Sequence, residues 1–163
     1  MPTTAPLTLQ SADLDEVRRH LAAPHRDEHF YVALLGLRSY EPLRIYQNVR
    51  RGLSYSAFEH LQRNTGLAAR AIGELAQIPA RTLARRRGEG RFDPEESDRL
   101  VRLARIFGRA LELFEGDPAE ALRWLSSAQV ALGGMVPLDL ARTDVGAREV
   151  ESLVGRLEHG IPA

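Results

Sequence analysis

The sequence predicts an all-α protein, a helix-turn-helix module followed by a smaller helical C-terminal domain. Three observations carry that expectation. Apolar residues recur at helical spacing, as in Leu100, Leu103, Ala104, Phe107 and Leu111. Helix-start signals repeat, most plainly Asp93-Pro94-Glu95-Glu96 and Asp117-Pro118-Ala119-Glu120, where an acidic cap precedes a proline at the first helical position. Finally, two short helical segments flank the tight turn Gln77-Ile78-Pro79, and the second is rich in arginine.

The elements follow in chain order. Residues 1–10 (MPTTAPLTLQ) read as a mobile leader. Asp13-Leu14-Asp15-Glu16 has capping-box spacing for a short helix through Leu21, ended by Pro24. Tyr31 to Leu37 is apolar enough for strand or helix, and the lack of a partner strand favours helix. Pro42 suits the first position of a helix over Leu43–Arg50, broken by Gly52. Ser56 and Glu59 suggest a capping box for a helix ending near Asn64, before Gly66. Leu67 to Ala76 is the first helix of the motif, with Leu67, Ala71, Ile72 and Leu75 on one face. Pro79 opens the second, in which Leu83 faces inward, the arginines face out, and Gly88 and Gly90 end the helix. The helix from Asp93 carries a buried stripe through Phe114, with Gly108 as a possible interruption. Asp117 starts a short helix bearing Leu122, Trp124 and Leu125; Ala131-Leu132-Gly133-Gly134 is a loop; Pro137–Ala141 makes about one turn. Thr143 or Asp144 caps the last helix, striped by Val150, Leu153, Val154 and Leu157 and ended at Gly160.

Bulk composition bounds the function. The chain has 163 residues and 44% hydrophobic content, enough for a sizeable core. Cysteine is absent, so disulfides and thiol chemistry are excluded. No apolar run is long enough to span a bilayer or form a signal core, so a soluble cytoplasmic protein is expected. All 22 basic residues are arginine, for which genomic GC bias is the plain explanation, and 22 acids bring the net charge to zero. A neutral chain does not coat nucleic acid indiscriminately; any such binding must come from a local patch.

One such patch exists. Arg81, Arg85, Arg86, Arg87 and Arg91 fall within eleven residues, against one acid, Glu89. As a solvated helix end the cluster would only complement the helix dipole. Following a tight turn, and followed by a long apolar helix, it has the form of a DNA recognition helix. Residues at the start of such a helix meet base edges, which assigns Arg81 and Thr82 to bases and Arg85, Arg86 and Arg87 to phosphates. Arg70 and Ala80 complete the candidate DNA-binding set. From Leu111 to the end there are nine acids against four arginines, so the C-terminal part is acidic and suits a different partner.

Other motifs carry less. His25-Arg26-Asp27-Glu28-His29 matches the H-x-x-E-H spacing of inverted zinc peptidases, but its polar context, Pro24 and the lack of further ligands speak against a metal site. Gly133-Gly134 lacks the strand and the Lys-Ser/Thr pair of a phosphate loop. Trp124, the only tryptophan, reads first as a core residue and second as a partner anchor. No catalytic set and no cofactor site emerge.

The C-terminal half carries a resemblance. Trp124-Leu125, Ala131-Leu132-Gly133-Gly134, Pro137-Leu138-Asp139-Leu140, Gly146-Ala147-Arg148-Glu149-Val150-Glu151 and Gly155-Arg156-Leu157-Glu158-His159-Gly160 resemble, in order and spacing, the Xre/ParS/MbcA antitoxin family. Ile78 to Arg86 is similar to that family's recognition helix. The resemblance covers roughly residues 52–163. It implies an Xre-like DNA-binding module over 51–115, a toxin-binding domain over 116–163 and an N-terminal extension over 1–50 with no counterpart. It also implies a RES-domain toxin as partner, which consumes NAD or ADP-ribosylates protein, active-site occlusion, and repression of the shared operon by a homodimer on operator DNA. The residues it assigns to the toxin are Trp124, Gly133, Gly134, Pro137, Leu138, Arg156, His159 and Gly160. The chain departs from the family pattern at Ala68, where a serine cap is usual, and at Gly73, where alanine is usual. The competing reading is a free-standing Xre-type transcriptional regulator whose C-terminal domain dimerises or senses a ligand; a toxin gene next door would decide between them.

Overall fold

The structure, a computed structural model, describes residues 30–161. The leader, the helix expected from Asp13 and the His25–His29 spacing lie outside the described residues. Among the described residues there are nine α-helices and no strand: α1 (Phe30–Leu34), α2 (Pro42–Arg51), α3 (Tyr55–Thr65), α4 (Ala69–Leu75), α5 (Ala80–Glu89), α6 (Pro94–Leu113), α7 (Pro118–Leu125), α8 (Pro137–Leu140) and α9 (Asp144–Glu158), with a 3-10 turn at Val130–Leu132 between α7 and α8. No helix among them is long and apolar enough to cross a membrane.

The long helix α6 forms because its start is fixed and its stripe is continuous. Asp93 accepts from the Glu96 N–H at 2.8 Å, and the Glu96 carboxylate accepts from the Asp93 N–H at 3.0 Å, a reciprocal capping box. Leu100, Ala104, Ile106, Phe107, Ala110 and Leu111 are wholly enclosed. Helices α1, α2, α7 and α9 pack against it, and one apolar cluster runs from Phe30 to Leu153. Gly108 does not interrupt α6. A Cβ there would stand 3.2 Å from the Tyr31 backbone nitrogen, so the glycine lets α1 lie close.

Other helix ends follow the sequence signals, with exceptions. Asp117 caps α7 through Ala119 and Glu120, and the Thr143 hydroxyl caps α9 through Gly146. The Ser56–Glu59 capping box does not form. Helix α3 starts two residues earlier than that pair requires, after Ser54, whose hydroxyl bonds to that of Ser56 instead of to a backbone N–H. Helix α4 is shorter than expected: Ala68 stands at its N-cap with no side-chain oxygen to offer, and Leu67 falls before the helix, its N–H donating to Thr65 Oγ1. Gly88 lies within α5, and only Gly90, left-handed at φ 76°, ends it.

Gly73 explains its own departure from alanine. A Cβ there would lie 2.7 Å from Leu83 Cδ1 and 2.9 Å from the Ile78 carbonyl oxygen, so α4 meets α5 and the turn at a distance only glycine allows. Gly73→Ala therefore sets a helix-propensity gain of about 1 kcal/mol against an overpacking cost of roughly 1–3 kcal/mol, part of it on backbone that cannot swing away. The expected outcome is a net loss of stability, read as a lower midpoint in urea unfolding; a raised midpoint would contradict the close approach.

Candidate functional site

The helix-turn-helix is α4, the turn through Ile78, and α5. The turn closes through the Ile78 N–H donating to the Gly73 carbonyl at 2.7 Å, with Gln77 in the left-handed region at φ 55°. The long helix α6 fastens α4 and α3 from behind. Arg99 on α6 donates to the Ala76 carbonyl at 2.7 Å, taking up the C-terminal end of α4. Ser97 on α6 accepts from the Leu53 N–H at 2.8 Å, which fixes the start of α3.

The five arginines of the cluster divide by role. Arg81, Arg85 and Arg87 are exposed. Arg85 has only a loose 3.8 Å approach to Glu89, and among the described residues Arg81 and Arg87 have no carboxylate partner. Arg81 and Arg85 are one helical turn apart and point away from buried Leu83. Ala80 is exposed and Thr82 half-buried beside them. Pro79 supplies no side-chain cap, so the first N–H groups of α5 are left for an acceptor outside the helix. Arg70 is exposed on α4 and paired with Glu74 at 2.9 Å.

Arg86 departs from the outward placement expected of it. Its guanidinium turns in and meets Glu96 at 2.7 Å, Asp93 at 2.9 Å and Glu89 at 2.7 Å. Hydrogen bonds to Glu96 and Glu89 raise its pKa above the usual arginine value. The reason is position: Arg86 faces the start of α6, where Asp93 and Glu96 present two carboxylates, and Glu89 on α5 itself supplies the third. Arg91 is also engaged, donating to the Arg51 and Gly52 carbonyls at 3.1 and 3.0 Å. Neither pairing shows in local sequence, because Glu96 and Arg51 reach the cluster only through the fold.

The second candidate set lies on α7, α8, α9 and the loops between. Trp124 is half-buried, its ring 6.3 Å from Phe114 and tilted by 54°, and its carbonyl accepts from Gln129. Gly133 and Gly134 are exposed at φ 66° and 79°, closing a loop in which the Gln129 N–H donates to the Met135 carbonyl at 3.1 Å and the Gln129 carbonyl accepts from the Gly134 N–H at 2.9 Å. Pro137 and Leu138 depart from expectation: both are buried, because α8 is packed between α7 and α9, and their side chains belong to the core. Arg156 is half-buried, and its enclosed Nε meets no acceptor among the described residues. His159 and Gly160 are exposed; His159 Nδ1 lies 2.7 Å from the Gly155 carbonyl.

Sequence reasoning missed the apolar side chains that this region leaves in solvent. Val130 is 94% exposed and Val145 75%, and Met135, Leu157 and Ile161 are also exposed. Isolated exposed apolar residues are ordinary; these five lie within the 32 residues from Val130 to Ile161, and among the described residues Leu43 and Tyr46 on α2 are exposed as well. The available signal was a valine and a methionine flanking the Gly133-Gly134 loop, where polar residues are usual.

The arginine division is testable by stability alone. Glu96→Ala removes the reciprocal half of the α6 capping box and the buried partner of Arg86, at an expected cost of about 3 kcal/mol. Arg86→Ala is expected to lower the melting temperature as well, and Arg87→Ala to leave it unchanged. Thermal unfolding followed by circular dichroism measures all three; equal melting temperatures for the Arg86 and Arg87 variants would break the assignment.

Comparison with known proteins adds to this geometry. Residues 44–105 match the antitoxin Xre-like helix-turn-helix domain, and residues 109–160 match the antitoxin Xre/MbcA/ParS C-terminal toxin-binding domain. The two matches meet inside α6. An antitoxin Xre of Yersinia enterocolitica is 36% identical over 78% of this chain and 86% of its own length. One of Photorhabdus laumondii is 33% identical over 69% of this chain and 77% of its own. One of Pseudomonas putida is 34% identical over about half of each. With both domains matched in order and joined by one spine helix, the chain belongs to the Xre/MbcA/ParS family of antitoxins.

Proposed function

We propose that this chain is a cytoplasmic, non-enzymatic antitoxin that neutralises a RES-domain toxin by covering its active site and, as a homodimer, represses their shared operon by binding operator DNA. Residues 51–115 are the DNA-binding unit and 116–163 the toxin-binding unit. The observation that carries the reading is the separation of two free surfaces on one scaffold. Uncommitted guanidinium groups stand on α5, exposed apolar side chains stand on the loop and helix of 130–161, and no residue serves both. Cationic groups that are not already paired suit phosphate, and exposed apolar groups suit a protein partner.

On the DNA side, Arg81 contacts a base edge and Arg85 and Arg87 contact phosphates. Arg81→Ala is expected to cost about 1–3 kcal/mol at one base pair and to relax specificity there. Arg87→Ala is expected to weaken all sequences alike and to reduce the slope of log affinity against log salt by about 0.9. A gel-shift series over salt checks both; undiminished, salt-independent binding by an Arg81/Arg85 double variant would refute the assignment.

On the toxin side, Val130, Met135 and the α9 end with Arg156, His159 and Gly160 bear on the partner, while Trp124 supports them from below. Deleting 156–163 also removes Glu158, which pairs with Arg109 at 3.0 Å, so point changes at exposed positions are the cleaner test. Val130→Asp with Met135→Asp is expected to release growth arrest when a neighbouring RES toxin is co-expressed, while DNA binding persists. Full protection by that variant would move the interface off the loop.

A further inference from the structure

Behind the first turn of α5 runs an open groove of about 470 Å³, between α4 and α5. Its apolar wall is Gly73, Ile78, Pro79, Ala80 and Leu83, and its polar rim is Gln77 with the paired Arg70 and Glu74. Ile78 and Leu83 are buried at 2% and 7% exposure, whereas Pro79 and Ala80 stand in solvent. The recognition helix thus begins with an apolar shelf, and only then comes the free guanidinium of Arg81.

That order is chemically specific. The major-groove edge of DNA offers donors and acceptors at every base, and one apolar group, the C5-methyl of thymine. An apolar wall at the leading end of a recognition helix would otherwise desolvate polar base edges without bonding them. Pro79 has no N–H to give, and Ala80 presents only a methyl group. The surrounding charge fits the same occupant: Arg70 at the far rim is paired with Glu74, but the exposed Arg81 follows the shelf directly and Arg85 and Arg87 continue beyond it on α5, cations placed for a phosphate backbone.

We propose that Pro79 and Ala80 form a thymine-methyl site, so that the operator carries a T·A pair next to the base pair met by Arg81. Arg81 and the shelf then read adjacent positions, one through hydrogen bonds and the other through apolar contact. Ala80 becomes a specificity-determining residue, and its role rests on the operator-binding reading above.

The test uses the full chain and duplexes covering the DNA immediately upstream of its own reading frame, with each thymine in turn replaced by deoxyuridine, which removes only the methyl group. Wild type is expected to lose affinity by about fourfold at one thymine per half-site, the worth of one buried methyl group. Ala80→Gly is expected to bind the thymine and deoxyuridine duplexes alike. If wild type binds this DNA specifically but no thymine is methyl-sensitive, the thymine site is overturned and operator binding stands. If Ala80→Gly retains the discrimination at the same thymine, the shelf is not its reader and the proposal falls. If the DNA is not bound specifically at all, the operator reading fails together with it.

Discussion

The first two turns of α6 do two jobs at once, and the DNA-binding module depends on both. Asp93 and Glu96 close the helix start on each other, and the same carboxylates take the guanidinium of Arg86 from α5. One residue on, Ser97 takes the Leu53 N–H, and two further on Arg99 takes the Ala76 carbonyl. The ends of α5 and α4 and the start of α3 are therefore fixed to about six residues of one helix. A module of short helices gains little from helix propensity by itself, so its geometry must come from such fastenings and from burial. The half-buried site makes the ion pairs costly to break, since removing Arg86 leaves Glu96 enclosed at 5% exposure with its charge uncompensated.

The same helix carries the other half of the chain by the same means. Beyond Leu103 its arginines turn toward α9: Arg105 pairs with Glu151 at 2.7 Å, and Arg109 with Glu158 at 3.0 Å and Glu112 at 2.9 Å. The acids of the C-terminal part are thus partly consumed inside the fold, and its acidity as counted in the sequence overstates the charge left for a partner. What remains in solvent there is apolar as much as acidic. Pairing leaves the neutral total unchanged and decides only where charge stays exposed, which on α5 is at Arg81, Arg85 and Arg87.

Helix starts were legible in the sequence wherever the capping group and the helix are neighbours. Asp93 and Asp117 were identified from three or four consecutive residues, and Thr143 as one of two neighbouring candidates with Asp144, because the chemistry of a cap is local. The long stripe of α6 was legible for the same reason, as was Gly90 as a helix end. The Ser54 boundary was not, because a second serine two residues later offers the same atom, and the choice is set by the Tyr55 N–H donating to the Gly90 carbonyl across the fold. The burial of Pro137 and Leu138, which the resemblance assigned to the toxin, was not legible for a related reason. A single helical turn has no periodicity from which to tell its inward face, and only α7 and α9 closing over it bury it.

Arg85, Arg86 and Arg87 show where such reading ends. They are three identical residues in a row, and composition assigns them one role. Helical rotation of about 100° per residue separates them. Arg86 is turned to the cap of α6, and Arg85 and Arg87 are left outside. The inward residue could have been narrowed to Arg86 or Arg87 from the spacing to Leu83, because positions three and four apart both share a helix face. Its partner could not, since Glu96 lies ten residues on, across a left-handed glycine turn. A buried arginine in such a run is fixed by what stands opposite it, so it contributes to recognition only by holding the helix from which its neighbours reach out.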